Sequence, residues 1–284
     1  MTDFVSRKAL GKVYGKRRAW SRKGEYGKLL VVGGSERHTG SPVFAAMAAY
    51  RAGCDLVYVA APQRAADVAA QYSPNIITEP LEGTRLQAKH GGAILYLIES
   101  VRVDAVLLGP GLWREKDTLE AICFLVSKIN VPMVLDADAV RAVAHKKHVL
   151  SGKKVILTPH SNEFLELSGK KVSENIQERI QATEGAAREL YNNTVLLKGH
   201  VDVVSDGAKT ALNKTGSPFM TKGGMGDTLA GICGAYLARG VAPFNAACAA
   251  AYVNGKAGEL CAKELGEGML ATDLIECIPR AVKI

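Results

Sequence analysis

The sequence predicts an α/β fold, a three-layer αβα sandwich around a mainly parallel central sheet. Short apolar runs alternate along the chain with segments of helical periodicity, which is the pattern of right-handed βαβ crossovers. The apolar residues in each run are continuous, as is typical of strands covered by helices on both faces. With 284 residues, 48% of them hydrophobic, the chain is large enough to bury one sizeable core. We therefore predict one folded domain over residues 23–284, preceded by a basic leader over residues 1–22.

Seven apolar runs are the predicted strands, and five segments between them are the predicted helices. The strands are Leu29–Val32, Leu56–Ala60, Asn75–Thr78, Ala105–Leu108, Met133–Leu135, Val155–Leu157 and Thr194–Leu197. The helices are Val43–Ala52, Gln63–Gln71, Ala93–Val101, Thr118–Lys128 and Glu174–Tyr191. The pattern then changes to a β-hairpin, Val201–Ser205 and Thr210–Asn213, with its turn at Asp206-Gly207, and to two long helices, Asp227–Arg239 and Pro243 to about Leu265.

The formal net charge of +8 is concentrated at the start of the chain. Between Met1 and Gly27, eight basic residues face only Asp3 and Glu25, which gives a local net charge of +6 and leaves +2 for the rest. Such a segment is able to bind nucleic acid, but it contains no nucleic-acid-binding motif. We predict a solvated basic leader that attracts an anionic substrate, and no nucleic-acid partner. The basic residues are Arg7, Lys8, Lys12, Lys16, Arg17, Arg18, Arg22 and Lys23.

The cysteines and the apolar runs predict a cytoplasmic protein with no membrane partner. The six cysteines are scattered singly, without a CxxC pair or a Cys/His cluster that holds zinc. We predict that they are buried free thiols in a reducing compartment. No run approaches the roughly 18 apolar residues of a membrane span, and the basic start differs from a secretory signal.

Polar or glycine-containing motifs follow five of the predicted strands. They are Gly33-Gly34-Ser35, Gly109-Pro110-Gly111, Asp136-Ala137-Asp138, Thr158-Pro159-His160 and Lys198-Gly199-His200. Open parallel sheets bind ligands outside the carboxyl ends of their strands, so these motifs together predict one site. The segment Ser35–Pro42 is too polar to extend either neighbouring element, and we predict that it is a substrate-facing loop.

The strongest single motif is the glycine-rich segment Lys222–Thr228, which leads into a helix rich in Ala, Leu and Ile. Its glycines let the backbone approach a phosphate closely, and the start of a helix adds unpaired N–H donors and a positive dipole end. A carboxylate at Asp227 is then placed to take a proton from a hydroxyl while the N–H groups hold the charge of a transferring phosphoryl group. In the alternative interpretation, Asp227 only occupies a helix terminus. The segment matches neither a Walker A loop nor a Rossmann glycine motif.

Four further candidates each have a structural alternative. Lys198 either binds nucleotide phosphates as a point charge or is a solvated residue at a strand end. The polar segment Asn213–Gly216 either touches a nucleotide or closes the hairpin. His160 either contacts a ligand or is a core histidine, and Glu163 either helps to hold Mg²⁺, directly or through water, or is a first-turn helix carboxylate. Because phosphoryl transfer develops charge on oxygens, we expect a requirement for Mg²⁺.

In combination the motifs resemble those of the NAD(P)H-hydrate dehydratases, a ribokinase-like family similar to the carboxyl-terminal half of many bifunctional hydrate-repair proteins. The resemblance extends over nearly all of the chain from Lys23. It is carried by KGEYGKLLVVGGS (Lys23–Ser35), TGSPVFAAMAAYRAG (Thr39–Gly53), GPGL (Gly109–Leu112), LDADA (Leu135–Ala139), TPHSNEF (Thr158–Phe164), LLKGHVDVV (Leu196–Val204) and NKTGSPFMTKGGMGDTLAGICGAYLARG (Asn213–Gly240). It implies a ribokinase-like three-layer αβα sandwich.

The resemblance implies an enzyme that uses ADP, or as a second choice ATP, to dehydrate the hydrated form of NADH or NADPH. The ring hydroxyl is phosphorylated, and phosphate then leaves as the reduced nicotinamide returns. Among the matching positions, Asp227 is the base, and the anion hole is formed by Gly224, Met225 and Gly226. The adenine-nucleotide positions are Lys198, Gly199, His200, Val201, Asp202 and Gly226, and the hydrate positions are Gly40, Ser41, Pro42, Gly111, His160 and Asp227.

Five positions depart from the pattern of the family. Met225 stands where many relatives carry Thr, Trp113 where Gly is frequent, Asn162 where Gly is common, and Ser41-Pro42 where Ala-Ala is frequent. The backbone N–H at Met225 is the group that would contact the anion, so we expect the change of side chain there to have little effect. The epimerase half that is often fused in front of this domain does not precede Lys23, so we expect a separate epimerase, and we also expect a homo-oligomer.

The nearest alternative function is a vitamin-precursor kinase of the same fold that acts on a hydroxymethylpyrimidine or a hydroxyethylthiazole. Such kinases are similar around the anion hole but often carry Cys where Asp227 stands, and the segment Pro159–Glu163 also favours the dehydratase. A noncatalytic nucleotide sensor is a second alternative, and it does not need the base. A nucleic-acid-binding protein is a third, which salt-dependent binding to DNA or RNA distinguishes.

Overall fold

The computed structural model describes residues 3–283 and contains one ten-stranded sheet with helices on both faces. The strands are β1 (Asp3–Phe4), β2 (Lys28–Val32), β3 (Leu56–Pro62), β4 (Ile77–Leu81), β5 (Ala105–Leu108), β6 (Met133–Leu135), β7 (Val155–Leu157), β8 (Thr194–Leu197), β9 (Asp202–Ser205) and β10 (Thr210–Asn213). The α-helices are α1 (Ser41–Arg51), α2 (Gln63–Tyr72), α3 (Gly91–Ser100), α4 (Lys116–Lys128), α5 (Asp138–Ala144), α6 (Ser161–Ser168), α7 (Ile176–Glu189), α8 (Met225–Ala238), α9 (Pro243–Leu265) and α10 (Ala271–Ala281).

The strand order in the sheet is β1-β10-β9-β8-β7-β6-β5-β2-β3-β4. Only β9 runs antiparallel to its neighbours within the described residues, pairing with β8 on one side and β10 on the other. The remaining pairs are parallel, so the carboxyl ends of β2 to β8 lie at one edge. The prediction of a mainly parallel sheet is confirmed.

The continuous apolar strands divide their side chains between two cores. In β8, Leu196 packs into the core formed with α1, α8, α9 and α10, whereas Val195 and Leu197 pack into the core formed with α3 to α7. Successive side chains point to opposite faces of a strand, so a strand that is buried on both sides needs apolar residues throughout. The three-layer αβα arrangement is therefore confirmed.

Most predicted elements are confirmed, and their boundaries differ where local hydrogen bonds intervene. The third strand begins at Ile77 instead of Asn75, because the N–H groups of Asn75 and Ile76 are bound by Ser73 in a turn. The helix predicted from Glu174 begins at Ile176, because the Asn175 side chain caps it. The short elements β1, α5 and α6 and the later helix α10 were not predicted from the sequence.

The first residues contribute to the main fold. Strand β1 pairs with β10, and Leu10 and Val13 are buried in the same core as α8 and α9. The Tyr14 hydroxyl lies 2.9 Å from the Tyr236 hydroxyl. The basic side chains of this segment are mostly exposed, so it combines a charged surface with an apolar anchor.

All six cysteines are buried and free, as predicted. Among residues 3–283, no helix combines the length and the apolar character of a membrane span.

Candidate functional site

The predicted site motifs converge where the parallel strands end and α8 begins. Lys198, directly after β8, places its Nζ 3.0 Å from Oδ1 of Asp136, directly after β6. The same Nζ lies 4.0 Å from Oε2 of Glu163, in the first turn of the helix after β7. A Cβ at Gly226 would lie 3.4 Å from this Nζ, so the start of α8 faces the same point.

The glycine-rich segment turns the chain sharply into α8. Gly224 caps the helix with φ of 88°, in the left-handed region that favours glycine. A Cβ there would also lie 2.8 Å from both Phe44 and Ala271, so backbone conformation and packing each exclude a larger residue. The first N–H groups of a helix have no intrahelical acceptor. The N–H groups of the predicted anion-hole residues are therefore free to bind an anion at the positive end of the α8 dipole.

A cavity of about 810 Å³ lies beside this helix start. We call it the large cavity, and its size is in the range of small-molecule sites. Of the predicted nucleotide residues, Val201 alone does not line it; those that do are Lys198, Gly199, His200, Asp202 and Gly226. The polar segment Asn213–Gly216 also contributes Lys214, Thr215 and Gly216 to the wall.

The turn after β8 is held by several polar contacts. The Gly199 N–H donates to Oδ1 of Asp202 at 3.0 Å, and Asn213 Nδ2 donates to Oδ2 of Asp202 at 3.0 Å. Buried Arg179 donates from Nη2 to the Lys198 carbonyl at 2.9 Å. A Cβ at Gly199 would lie 2.5 Å from this Nη2, so a larger residue there would displace the Arg179 guanidinium. Burial raises the pKa of Asp202, opposed by the hydrogen bond from Asn213.

Asp136, Glu163 and Lys198 form a compact group that we call the charge cluster. Asp136 is 2% exposed, and its Oδ1 also accepts from the Thr158 hydroxyl at 2.6 Å. Burial by itself lowers the pKa of Lys198, but attraction from Asp136 and Glu163 outweighs burial, so the pKa is raised. The ammonium therefore keeps its charge when it is buried, and it remains available to a phosphate in the large cavity.

His160 and Glu163 bind each other at the start of α6. The Nδ1 atom of His160 accepts from the backbone N–H groups of Asn162 and Glu163, at 3.1 Å and 3.3 Å. A nitrogen that accepts these bonds carries no proton, so in the neutral ring the proton is on Nε2. Nε2 lies 3.3 Å from Oε1 of Glu163, and Oε2 of Glu163 accepts from the His160 N–H at 2.9 Å. The His160 ring remains 46% exposed, on the wall of the large cavity.

These contacts bear on the predicted Mg²⁺ ligand. Both oxygens of Glu163 already have donors, and the Lys198 ammonium lies within 4.0 Å. Residues 3–283 contain no group of three or more His, Cys, Asp or Glu side chains placed to hold a metal ion. The donor set does not fit Glu163 as a direct ligand of Mg²⁺. A contact through water stays a prediction.

Asp227 lies in the first turn of α8 and is partly buried. Burial raises its pKa most, and the carboxylate of Asp136 raises it further. A hydrogen bond with the Ser41 side chain and the charge of Lys198 lower it, and the pKa lies at about 7. A carboxylate with a pKa near neutrality is suited to accept a proton during catalysis.

The predicted hydrate residues do not all lie together: His160 lies after β7 on the wall of the large cavity, whereas the others outside α8 lie in the segments after β2 and β5. Gly40 caps α1, Ser41 begins this helix with its side chain near enough to Asp227 to lower the pKa of that carboxyl, and Pro42 follows in the first turn. Gly111 has φ of 69°, and a Cβ there would lie 2.9 Å from Cβ of Ser41. The structure thus brings the loops after β2 and β5 together beside Asp227.

Asp136 and Arg179 are the functional residues for which sequence reasoning provided no role. Asp136 stands in one of the motifs after the strands, and its position after β6, next to β7 and β8 in the sheet, was the available signal. Arg179 lies within a predicted helix and carries no local signal of its contact with the Lys198 carbonyl.

A family model described as NAD(P)H-hydrate dehydratase matches residues 29–280. The bifunctional NAD(P)H-hydrate repair enzyme Nnr of Pyrobaculum aerophilum is 44% identical over 269 residues, which are 94% of this chain and 52% of that protein. The ADP-dependent (S)-NAD(P)H-hydrate dehydratase of Cenarchaeum symbiosum is 41% identical over 271 residues, which are 94% of this chain and 92% of that protein. The chain therefore spans about half the length of such bifunctional relatives.

A solved structure adds a likeness in three dimensions. The ADP/ATP-dependent NAD(P)H-hydrate dehydratase of Bacillus subtilis, co-crystallized with ATP and Mg²⁺, superposes with a TM-score of 0.79 and 26% identity, over 99% of this chain and 97% of that chain. The predicted ribokinase-like fold is thereby confirmed. With the family model matching most of its length, this chain belongs to the NAD(P)H-hydrate dehydratase family.

Proposed function

We propose that this protein dehydrates the hydrated form of NADH or NADPH back to the reduced dinucleotide, with ADP as the phosphoryl donor. The observation that carries the proposal is the position of Asp227. Its carboxylate has a raised pKa of about 7 and lies at the start of α8, between the large cavity and the Ser41–Gly111 surface. A base in this place reaches a hydroxyl on one side and a phosphoryl group on the other.

In the first step Asp227 takes the proton from the ring hydroxyl, whose oxygen attacks the terminal phosphorus of ADP. The bond from that phosphorus to the leaving AMP oxygen breaks, and the charge that develops is held by the N–H groups of Gly224, Met225 and Gly226. The Lys198 ammonium supports the same charge from within the charge cluster. Phosphate is a better leaving group than hydroxide. It departs with the C–O bonding electrons, and loss of a proton from the neighbouring carbon restores the ring double bond.

The choice of ADP has support from relatives. The Cenarchaeum symbiosum protein is named ADP-dependent, and the Bacillus subtilis protein ADP/ATP-dependent, so ATP is the second candidate donor. Mg²⁺ when bound would neutralise phosphate charge, with most of its ligands from phosphate and water. The residues of this chain hold and orient the nucleotide through Lys198, the Gly199–Asp202 turn and the α8 start.

A vitamin-precursor kinase remains the alternative function. Asp227 argues against it, because such kinases often carry Cys at the matching position. Identity of 41% to a protein named as a dehydratase over 94% of this chain supports the dehydratase. We further propose a cytoplasmic location, a homo-oligomer, and a separate epimerase that supplies the (S)-form of the hydrate.

The test is turnover of purified protein with NADH hydrate or NADPH hydrate and either ADP or ATP. We expect the reduced-nicotinamide absorbance to return with ADP, and AMP to form in equal amount by mass spectrometry. Hydroxyethylthiazole and hydroxymethylpyrimidine are the control substrates. Phosphorylation of either, without turnover of a hydrate, would establish the kinase instead. Excess chelator should stop hydrate turnover, and full activity in chelator would contradict the expected Mg²⁺ requirement.

A further inference from the structure

A second pocket, of about 250 Å³, lies at the same edge of the sheet as the large cavity. We call it the small pocket. Its walls come from the segments after β2, β4 and β5, and they include Ser35, Arg37, Thr84, Arg85, Trp113 and Glu115. The large cavity is walled by the segments after β7, β8 and β10 and by the start of α8. Given the strand order, the cavity and the pocket lie on opposite sides of β6.

A continuous surface joins Asp227 to the small pocket. The Ser41 side chain is near enough to Asp227 to lower the pKa of that carboxyl, and a Cβ at Gly111 would lie 2.9 Å from Cβ of Ser41 and 2.8 Å from Cβ of His38. The His38 ring in turn stacks on the Trp113 ring, with the centroids 5.0 Å apart and the planes at 26°. A ligand whose reactive ring lies at Asp227 can therefore extend over His38 to Trp113.

The proposed reaction brings two nucleotides to Asp227, and they require separate space. The phosphoryl donor has its phosphates at the α8 start and Lys198, so its remaining part occupies the large cavity. The hydrate presents its ring from the Ser41–Gly111 side. Its adenosine half must then extend away from the donor, which is the direction of the small pocket.

Two arginines, Arg37 and Arg85, and two glutamates, Glu36 and Glu115, line the small pocket, so a phosphate would be bound there by one guanidinium and not by a net positive charge. Arg37 is exposed, and no salt bridge joins it to a carboxylate within the described range 3–283; its guanidinium carbon lies 5.9 Å from the Trp113 ring centroid. Arg85, in contrast, donates to Asp117 at 3.2 Å. A planar guanidinium matches a phosphate with two parallel hydrogen bonds. In dinucleotide sites an arginine near the ribose accommodates a 2′-phosphate.

The backbone at Trp113 is strained. Its φ is 74°, a left-handed conformation that large residues rarely adopt, and its N–H donates to Oδ2 of Asp138 at 2.9 Å. The side chain nevertheless remains 42% exposed, at the wall of the pocket. Strain of this kind persists where surrounding contacts impose it and clusters at ligand sites. An exposed indole ring offers an apolar face to a purine.

We propose that the small pocket binds the adenosine half of the hydrate, with Trp113 against the purine and Arg37 on the 2′-phosphate of NADPH hydrate. The inference rests on the proposed function, because it assigns the far end of that substrate. It makes Arg37 a specificity-determining residue. The enzyme then prefers NADPH hydrate over NADH hydrate, and the preference depends on the guanidinium.

The first measurement compares kcat/KM for the two hydrates in the wild-type protein, Arg37→Gln and Arg102→Gln. Arg102 is an exposed arginine before the start of β5, outside the pocket and the basic leader, so its substitution controls for the loss of one positive charge. Loss of a charge-assisted hydrogen bond at an exposed site corresponds to about tenfold in affinity. We expect the NADPH-hydrate preference to fall about tenfold in Arg37→Gln and to stay unchanged in Arg102→Gln. An unchanged preference in Arg37→Gln would overturn the inference.

The second measurement does not need turnover. The chain has two tryptophans, so Trp20→Phe leaves Trp113 as the single indole fluorophore. Adenosine 2′,5′-bisphosphate is titrated in saturating ADP, which fills the large cavity. We expect a change in Trp113 emission with a Kd about tenfold higher after Arg37→Gln, and about tenfold higher for 5′-AMP. If adenosine 2′,5′-bisphosphate binds in this way but no hydrate is turned over, the proposed function is rejected and the small pocket remains a nucleotide site. If a hydrate is turned over but adenosine 2′,5′-bisphosphate does not bind in this way, only the assignment of the small pocket is rejected.

Discussion

The entrance to α8 and the charge cluster lie side by side in the proposed reaction site but are built in opposite ways. The entrance, Gly223–Asp227, is one continuous segment whose proposed anion-binding groups are backbone N–H donors. The charge cluster joins side chains from three strand ends, none of them more than 20% exposed. One region supplies fixed dipoles, and the other supplies formal charges that depend on each other.

This difference separates two kinds of sensitivity. Because the proposed anion hole uses backbone N–H groups, the Met225 side chain is not needed for it and packs into the core. In the charge cluster, removal of one member leaves a buried charge without its partner. The cluster also sets the protonation of Asp227, since Asp136 raises and Lys198 lowers the pKa of that carboxyl. We therefore expect substitutions at the entrance to change rate and substitutions in the cluster to change affinity and pH dependence.

The largest expected effect is that of Asp227→Asn. A positioned general base contributes about 10²–10⁴-fold, so hydrate turnover should fall by that factor while ADP affinity stays nearly unchanged. Asn can also hold a helix terminus, so a purely structural role predicts little loss of activity. Turnover, ADP affinity and melting temperature are measured on one preparation. A fall of less than about tenfold in a folded variant would show that Asp227 is not the base.

The melting temperature provides a control with a definite sign. The pKa of Asp227 is raised from 3.8 to about 7 in the folded protein. Its stabilising contribution is thus complete below the unfolded value and is lost as the pH rises through about 7. At pH 8 the ionised carboxylate destabilises the fold, so Asp227→Asn should melt no lower than the wild type there. A lower melting temperature would instead indicate a structural role for Asp227.

The next effect is in the charge cluster. Lys198→Ala should weaken ADP binding by about 10- to 100-fold, the loss of one charge-assisted contact. It also leaves Asp136 and Glu163 buried beside each other without a cation, so the melting temperature should fall. Calorimetry well below the melting temperature gives the ADP affinity, and Lys89→Ala, at an exposed lysine outside the cavity, is the control. Unchanged ADP affinity in Lys198→Ala would contradict the assignment.

The same contrast explains how much of the site could be predicted from the sequence. The α8 entrance is a local pattern of glycines before Asp227, and the strand ends that carry Gly111, His160 and Lys198 follow apolar runs that are easily located. The pairing of Lys198 with Asp136 spans 62 positions. It depends on β6, β7 and β8 being neighbours in the sheet, which no local pattern specifies. For this reason Asp136 was seen as a motif but received no role.

Errors in the predicted elements have similar causes. Helix α6 has eight residues and α5 has seven, too few for a helical period to be distinct from the loops that precede them. At the start of the chain, the count of basic residues drew attention to the surface, whereas Leu10 and Val13 pack into the core. Trp113 was noted as a departure from a frequent Gly, and its φ of 74° gives the physical reason for the glycine.

A smaller effect follows from the raised pKa of Asp227. The base must be ionised to act, so kcat/KM for the hydrate should rise with pH through about 7 and fall about tenfold per unit below it. A pH profile of kcat/KM at constant ionic strength measures this fall at low pH, which we call the acid limb. The limb should be absent from the residual activity of Asp227→Asn. An ordinary carboxyl group with a pKa of about 4 would give a flat profile between pH 5 and 8. Such a profile would mean that Asp227 is ionised throughout this range and that its pKa is not raised.

The smallest effect, and the one that links the two regions, is expected for Asp136→Asn. The substitution keeps the size of the side chain and its acceptor for the Thr158 hydroxyl but removes a charge that raises the pKa of Asp227. The acid limb of the pH profile should therefore move to lower pH, by about one unit, the lower end of typical shifts by a nearby charge. The plateau should also fall, because Lys198 loses its closest carboxylate.

A shift of the limb distinguishes an electrostatic role of Asp136 from a structural one. If Asp136 only supports the turn after β6, Asp136→Asn lowers activity equally at every pH and leaves the limb in place. Asp67→Asn, at an exposed carboxylate on α2, is the matched control and should leave both the limb and the plateau unchanged. Because Asn retains the hydrogen bond but not the charge, movement of the limb can be assigned to the Coulomb interaction with Asp227. Movement to higher pH would contradict the described arrangement, since a lost negative charge can only make a neighbouring carboxyl easier to ionise.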